Sequence, residues 1–169
     1  WQPGAVSATP VSGLYLLASY DQLHIYDHAR RALVGTPLVL QGDGGITSID
    51  WDAGSGLIAA GTDKGLAVLM KLHREAEVAR LEVLDRHAPQ GLGPRNDLLA
   101  VMLLDGGTKL VTVQYSPARA QAMADGIPAL YRGLQHETVR WDLATWKREH
   151  AYGSQLAGVH RAGFTRGED

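Results

Sequence analysis

One stretch of this sequence returns twice. Residues 13–19 (GLYLLAS) resemble residues 56–62 (GLIAAGT), 43 positions later, and a third version opens at Thr108 and runs Lys109-Leu110-Val111-Thr112-Val113, 52 positions further on. A chain that repeats itself at a period of tens of residues stacks copies of one supersecondary unit, and each copy buries its apolar faces only against its neighbours. The number of units and their way of stacking therefore limit the fold more than any single motif does.

The surroundings of the copies repeat as well. The first two are followed, after a tight turn carrying Asp21 or Asp63, by short runs at 23–27 and 66–70. Runs at 6–11, 46–51 and 98–104 precede the copies, and the last two end in the acidic turns Asp52-Ala53-Gly54 and Asp105-Gly106-Gly107. Outer runs at 37–40, 78–84 and 147–152 complete each unit. No long segment has a 3.6-residue period, and clusters of Gly, Asp and Ser separate the runs, which predicts an all-β chain of many short strands. The units cover about 5–42, 45–84 and 97–153. A lone strand follows at about 156–164 (Gly158-Val159-His160-Arg161-Ala162-Gly163-Phe164).

The strand Glu137-Thr138-Val139-Arg140-Trp141-Asp142-Leu143 is similar to the closing dipeptide strand of the WD-repeat family, and Tyr26-Asp27 is a milder variant. The repeat length and the four strands per unit are also those of that family. The resemblance implies a WD-repeat-like β-propeller of about three four-stranded blades plus the first strand of a fourth. Departures are plain: Leu69-Met70 replaces the dipeptide in the second blade, the third has one residue fewer before Trp141, and no Gly-His pair opens a blade. Asp21 and Asp63 stand where the family places its turn aspartate, but no histidine is assignable to them, so the family's buried chain of His, Asp and Trp is not carried over.

Within this frame Leu23 and Ile25 share one strand face and His24 and Tyr26 the other. Tyr26 and Trp141 are expected to wedge between sheets. Pro10 falls in an innermost strand, where a missing ladder donor is tolerated. Gly42, Gly44 and Gly45 are expected to supply the positive φ angles of a blade-to-blade crossing. Propellers close at four to eight blades, so the chain is expected to be a fragment of a larger propeller, or to close with another subunit. A start at Trp1 instead of Met, and an end just after the next strand begins, favour the fragment.

Composition narrows the functions. The formal net charge is -2, the pI about 6.4, and the basic residues are interleaved with acids, so no nucleic acid is expected. No apolar run approaches the ~20 residues of a membrane span. The absence of cysteine removes thiolate metal sites and disulfides, and points to a reducing, intracellular and cytoplasmic setting. His24 and His28 have a metal-like spacing but fall on a strand and its turn, where they are surface residues first. No Gly-x-Ser-x-Gly elbow occurs, and Gln41-Gly42-Asp43-Gly44-Gly45 lacks the helix N-terminus that lets such loops bind phosphate. No catalytic, metal or cofactor residue is nominated, no cofactor is expected, and the chain is not expected to be an enzyme.

Two insertions remain, at 85–97 and 116–136, in loops that the family places on one face. Long loops on a rigid scaffold are where recognition resides. The candidate partner-binding residues are Arg86, His87, Arg95, Arg119, Tyr131 and Arg132. An alternative makes 118–124 a short helix over the rim, with Met123 and Leu130 packed beneath it. The functional expectation is a scaffold or adaptor that binds a partner protein or peptide within a larger assembly. The alternative is a ligand- or glycan-binding propeller formed by oligomerisation of short chains, and an enzyme with catalytic groups outside this chain is a third, open reading.

Overall fold

The computed structural model describes residues 5–8, 13–75, 78–89, 97–115 and 136–152. Twelve strands among them form three four-stranded antiparallel sheets, each in simple sequence order. The first sheet is β1 (Ala5–Ala8), β2 (Leu14–Ser19), β3 (Gln22–Asp27) and β4 (Ala32–Val39). The second is β5 (Ile46–Trp51), β6 (Leu57–Thr62), β7 (Ala67–Glu75) and β8 (Val78–His87). The third is β9 (Leu98–Leu104), β10 (Lys109–Tyr115), β11 (His136–Asp142) and β12 (Lys147–Tyr152).

The sheets stack face to face in sequence order. Leu14, Leu16, Ala18, Leu23 and Ile25 form one face of the first sheet and pack with Ile58, Ala60, Val68 and Met70 of the second. The opposite face of the second sheet, with Ala59, Ala67 and Leu69, packs with Leu98, Val101, Leu103, Leu110, Val139 and Trp141 of the third. Being buried on both sides, β6 and the start of β7 read as unbroken apolar runs of small and medium side chains, while β2 alternates. Space between the sheets is short: a Cβ on Gly61 would stand 3.0 Å from Val101 and 3.1 Å from Leu98.

Trp141 is the wedge that the sequence suggests, and its indole N–H donates to the Thr112 hydroxyl at 3.0 Å. That hydroxyl donates in turn to Gln114 Oε1 at 2.6 Å, and all three residues are buried. A buried chain from the tryptophan thus exists in this blade, and it ends on a glutamine. Tyr26 behaves differently: it sits on the face turned away from the second sheet, opposite Tyr15 across the ladder, and is half-buried.

The aspartates after the two aromatic positions close the next turn. Asp27 Oδ1 accepts the Arg30 amide at 3.1 Å, and Asp142 Oδ1 accepts the amide and hydroxyl of Thr145 at 3.0 and 2.8 Å. Both turns end on a non-glycine residue in the left-handed region, Arg31 and Trp146, each at φ 52.

The innermost strands β5 and β9 lie side by side without sharing a ladder, so the edge groups of β9 need other partners. Side chains of β5 supply them: the Thr47 hydroxyl donates to the Leu98 carbonyl, and Asp50 Oδ2 accepts the Leu103 amide at 2.7 Å.

Three strand extents differ by several residues from the sequence reading. The run expected at 66–70 extends, as β7, to Glu75. The outer strand of the first unit begins at Ala32 instead of 37, and that of the second reaches His87 instead of 84. β8 continues on backbone pairing past its last apolar residue, Leu84, where hydropathy gives no signal, while the added length of β4 is the apolar run Ala32-Leu33-Val34, which Gly35 separates from the run at 37–40. Pro10 and the strand expected at 156–164 lie outside the described residues.

Candidate partner-binding face

The crossing from β4 to β5, residues 40–45, is held by the turns on either side of it. From the β2–β3 turn, the Asp21 carbonyl accepts the Leu40 amide at 2.8 Å, and the Tyr20 carbonyl accepts the Ile46 amide at 2.7 Å. From the β6–β7 turn, Asp63 Oδ1 accepts the Gly45 amide at 2.9 Å, while the Asp63 amide donates to the Gly45 carbonyl at the same distance. Two further side chains reach in: Lys64 Nζ donates to the Gly42 carbonyl at 3.0 Å, and Arg86 Nε donates to Asp43 Oδ2 at 3.2 Å.

Glycine is required here for two separate reasons. Gly42 and Gly44 have φ 83 and 94, as the crossing demands. Gly45 does not share the positive φ assigned to it from the sequence; its need is space, because a Cβ there would stand 3.1 Å from Asp63 Oδ2 and 3.2 Å from the Tyr20 ring. Above this floor Tyr20, at φ 54, leaves 71% of its surface exposed.

The sequence places Arg86 and His87 in a loop; both belong to β8, opposite Val68 and Ala67. A bulge at Leu69/Met70 shifts the register of the long β7–β8 hairpin by one residue, from Met70 opposite Val83 to Leu69 opposite Asp85. Arg86 faces the crossing through Asp43, with 44% of its side chain exposed. His87 instead stacks on Trp146 of the third sheet, ring centroids 4.2 Å apart and planes 12° from parallel. The Trp146 indole N–H donates to Asp85 Oδ2 at 2.8 Å. Burial holds the His87 pKa below its ordinary value, with the Asp85 charge partly opposing it. These contacts turn His87 towards the third sheet, so of the two residues only Arg86 faces the crossing. Arg95, Arg119, Tyr131 and Arg132 lie outside the described residues.

Sequence reasoning passed over Tyr20, Lys64 and Trp146. Trp146 and Tyr20 carried a signal, since each is a bulky residue at a tight-turn position that favours glycine or asparagine. Lys64 carried none, as one lysine in a turn is ordinary.

A second charged cluster lies on the third sheet. Lys109 Nζ meets Asp142 Oδ2 at 2.7 Å and Glu149 Oε1 at 2.5 Å, and Arg140 Nε meets Glu149 Oε2 at 2.9 Å. Hydrogen bonds from Lys109 and then Thr145 pull the Asp142 pKa down to about 2. The bonds to Asp142 and Glu149 raise that of Lys109, and the bond from Lys109 lowers that of Glu149. The cluster is self-neutralising and holds outer strand β12 to β10 and β11. His28, the second member of the histidine pair, packs edge-on against Tyr15 at 6.2 Å. Among the described residues no three acidic or histidine side chains gather as a metal site.

Among solved structures, the chain is similar to the Cps50 (Swd1) β-propeller domain of Myceliophteria thermophila, with a TM-score of 0.63 at 12% identity over 89% of this chain. The fold is that of a WD-repeat-like β-propeller. The three sheets are its blades, and the chain spans 43% of the propeller it matches. A chain of the mitotic checkpoint complex also matches, with 19% identity over 64% of this chain and 32% of that one, at a TM-score of 0.48. Neither a family model nor a curated protein matches the sequence.

Proposed function

We propose that this propeller is a protein-interaction scaffold, without catalysis of its own, that binds a partner protein or peptide through the face carrying the blade 1 to blade 2 crossing. The observation that supports the reading most is the pinning of that crossing from both sides by backbone and side-chain bonds. Rigid loops lose little conformational entropy on binding, which is what a recognition surface needs. Arg86 belongs to this surface, and Arg95, Arg119, Tyr131 and Arg132 are proposed to extend it.

Lysine cross-linking of the protein within its native assembly tests the reading. Lys64 lies at the crossing, whereas Lys71 pairs with Leu57 at the opposite end of blade 2, and Lys109 and Lys147 pair with Asp142 in blade 3. Links to another protein are expected at Lys64. Links confined to Lys71, Lys109 and Lys147 would assign binding to another surface.

A second surface is supported by blade 1, whose face turned away from blade 2 carries Tyr15 and Leu33, exposed by 37% and 51%. We propose that a further blade covers it, either of the same propeller or of another subunit. Light scattering of the purified chain separates the two: a monomer fits the first, and a discrete multimer the second.

A further inference from the structure

Two turns of this propeller are built alike but end on different residues. The β3–β4 turn, residues 28–31, and the β11–β12 turn, residues 143–146, each follow an aspartate whose carboxylate accepts the amide three residues on. The amide directly after each aspartate is bonded alike as well: His28 donates to the Gly13 carbonyl at 2.8 Å, and Leu143 to the Thr108 carbonyl at 3.0 Å. Arg31 and Trp146, both at φ 52, therefore hold the same position in blades 1 and 3. The left-handed region favours neither residue, so a contact of the side chain has to offset the strain.

In blade 3 that contact is visible. Trp146 reaches back to the outer strand of the blade before it, stacking on His87 and donating to Asp85 Oδ2. Blade 2 does likewise with the β7–β8 hairpin, where Ala79 lies against Gly35 in the outer strand of blade 1. In both joints the segment linking third and fourth strands rests on the outer strand of the preceding blade. The same position in blade 1 directs Arg31 to the blade that covers Tyr15 and Leu33.

Arg31 meets no carboxylate of its own blade. It is exposed, and Asp27, the acid of its turn, is taken by the amide and the guanidinium of Arg30 at 3.1 and 3.9 Å. No ion pair holds Arg31 among the described residues. Where Trp146 offers Asp85 a single N–H, a guanidinium offers a charged fork of donors that matches a carboxylate. Both joints connect blades consecutive in one chain, and the chain spans 43% of the propeller it matches.

We propose that Arg31 docks on a carboxylate in the outer strand of a further blade of the same polypeptide. This rests on the proposed covering of blade 1 and names its contact residue and the chemistry opposite.

The test places the photoreactive residue p-benzoylphenylalanine at position 31, and separately at position 33, of the full-length protein. Peptide mapping after irradiation is expected to link position 31 to a strand containing Asp or Glu, in a product with the mass of one polypeptide. A product of double mass puts the blade in another subunit and overturns the assignment, as does a linked strand without an acidic residue. If position 33 links and position 31 does not, blade 1 is covered but Arg31 is not its joint. If neither links, both readings fall. Melting temperature supplies a second check. Arg31→Gly relieves the backbone, so with no docked carboxylate it would hold or raise the melting temperature. It is expected to lower it by about 2–4 °C, and Arg31→Glu by more. A melting temperature held or raised by Arg31→Gly overturns the docking.

Discussion

Gly35 shows how much a single position can hide from sequence. A Cβ there would stand 2.1 Å from the Ala79 carbonyl oxygen of the neighbouring blade, and its φ is 71. Gly35→Ala is therefore expected to destabilise by about 2–4 kcal/mol, combining left-handed strain with overpacking against backbone. Gly56→Ala, at φ 69 with nothing within 4 Å, carries the strain alone and should cost about 1 kcal/mol. Urea titration of both variants checks the difference, and equal losses would mean that the Ala79 contact is unimportant. The sequence shows both residues only as glycines in or near strands, because the distinguishing atom lies 44 residues away in another blade. The Trp141 chain has the same character. Trp141 was legible as a wedge, but the hydroxyl and amide it needed were not, since their positions depend on the ladder register. Thr112→Val would leave the buried indole N–H unmet and is expected to cost about 1–3 kcal/mol by the same titration.

The inner strands were legible, and of the outer strands only β12, at Lys147–Tyr152, was. The inner strands at 46–51 and 98–104 have bounds that hydropathy gives, whereas β8 continues past Leu84 on backbone pairing alone and β4 runs across the break at Gly35. This is why Arg86 and His87 read as loop, and only one of them faces the crossing. Two elements carry a pH dependence. The folded pKa of Asp142, about 2, lies below the ordinary aspartate value of 3.8. Its stabilisation is thus complete above that value and is lost as pH falls through 3.8 towards 2. Asp142→Asn should flatten the acid limb of a stability profile measured by circular dichroism; an unchanged limb would place the acid sensitivity elsewhere. His87 also has a lowered pKa, but as a base. Its neutral form is favoured on folding, so stability is full above pH 6.5 and declines as pH falls from there towards the folded value. His87→Gln should remove that decline.

Over the whole molecule the repeat announced the number of sheets and their four-stranded form, because each copy had to include every strand of its unit. It did not announce the fastenings between blades, which use residues outside the repeated stretch. Blade 2 is buried on both faces, while blades 1 and 3 are each packed on one face by a described blade. Hydrogen exchange should accordingly be slowest in β6 and the first half of β7 and fastest in β4, whose residues are mostly exposed. Uniform protection across the three blades would indicate that they open only together.

Thr47 and Asp50 belong to blade 2, yet what they hold in blade 3 is a carbonyl and an amide, groups that every residue but proline possesses. The obligation is therefore one-sided. The earlier blade must carry a hydroxyl and a carboxylate at fixed places, while the later one may change its side chains at 98 and 103 so long as they still fill the core. In such a joint the donor blade dictates where its successor sits and leaves the successor's sequence free to diverge.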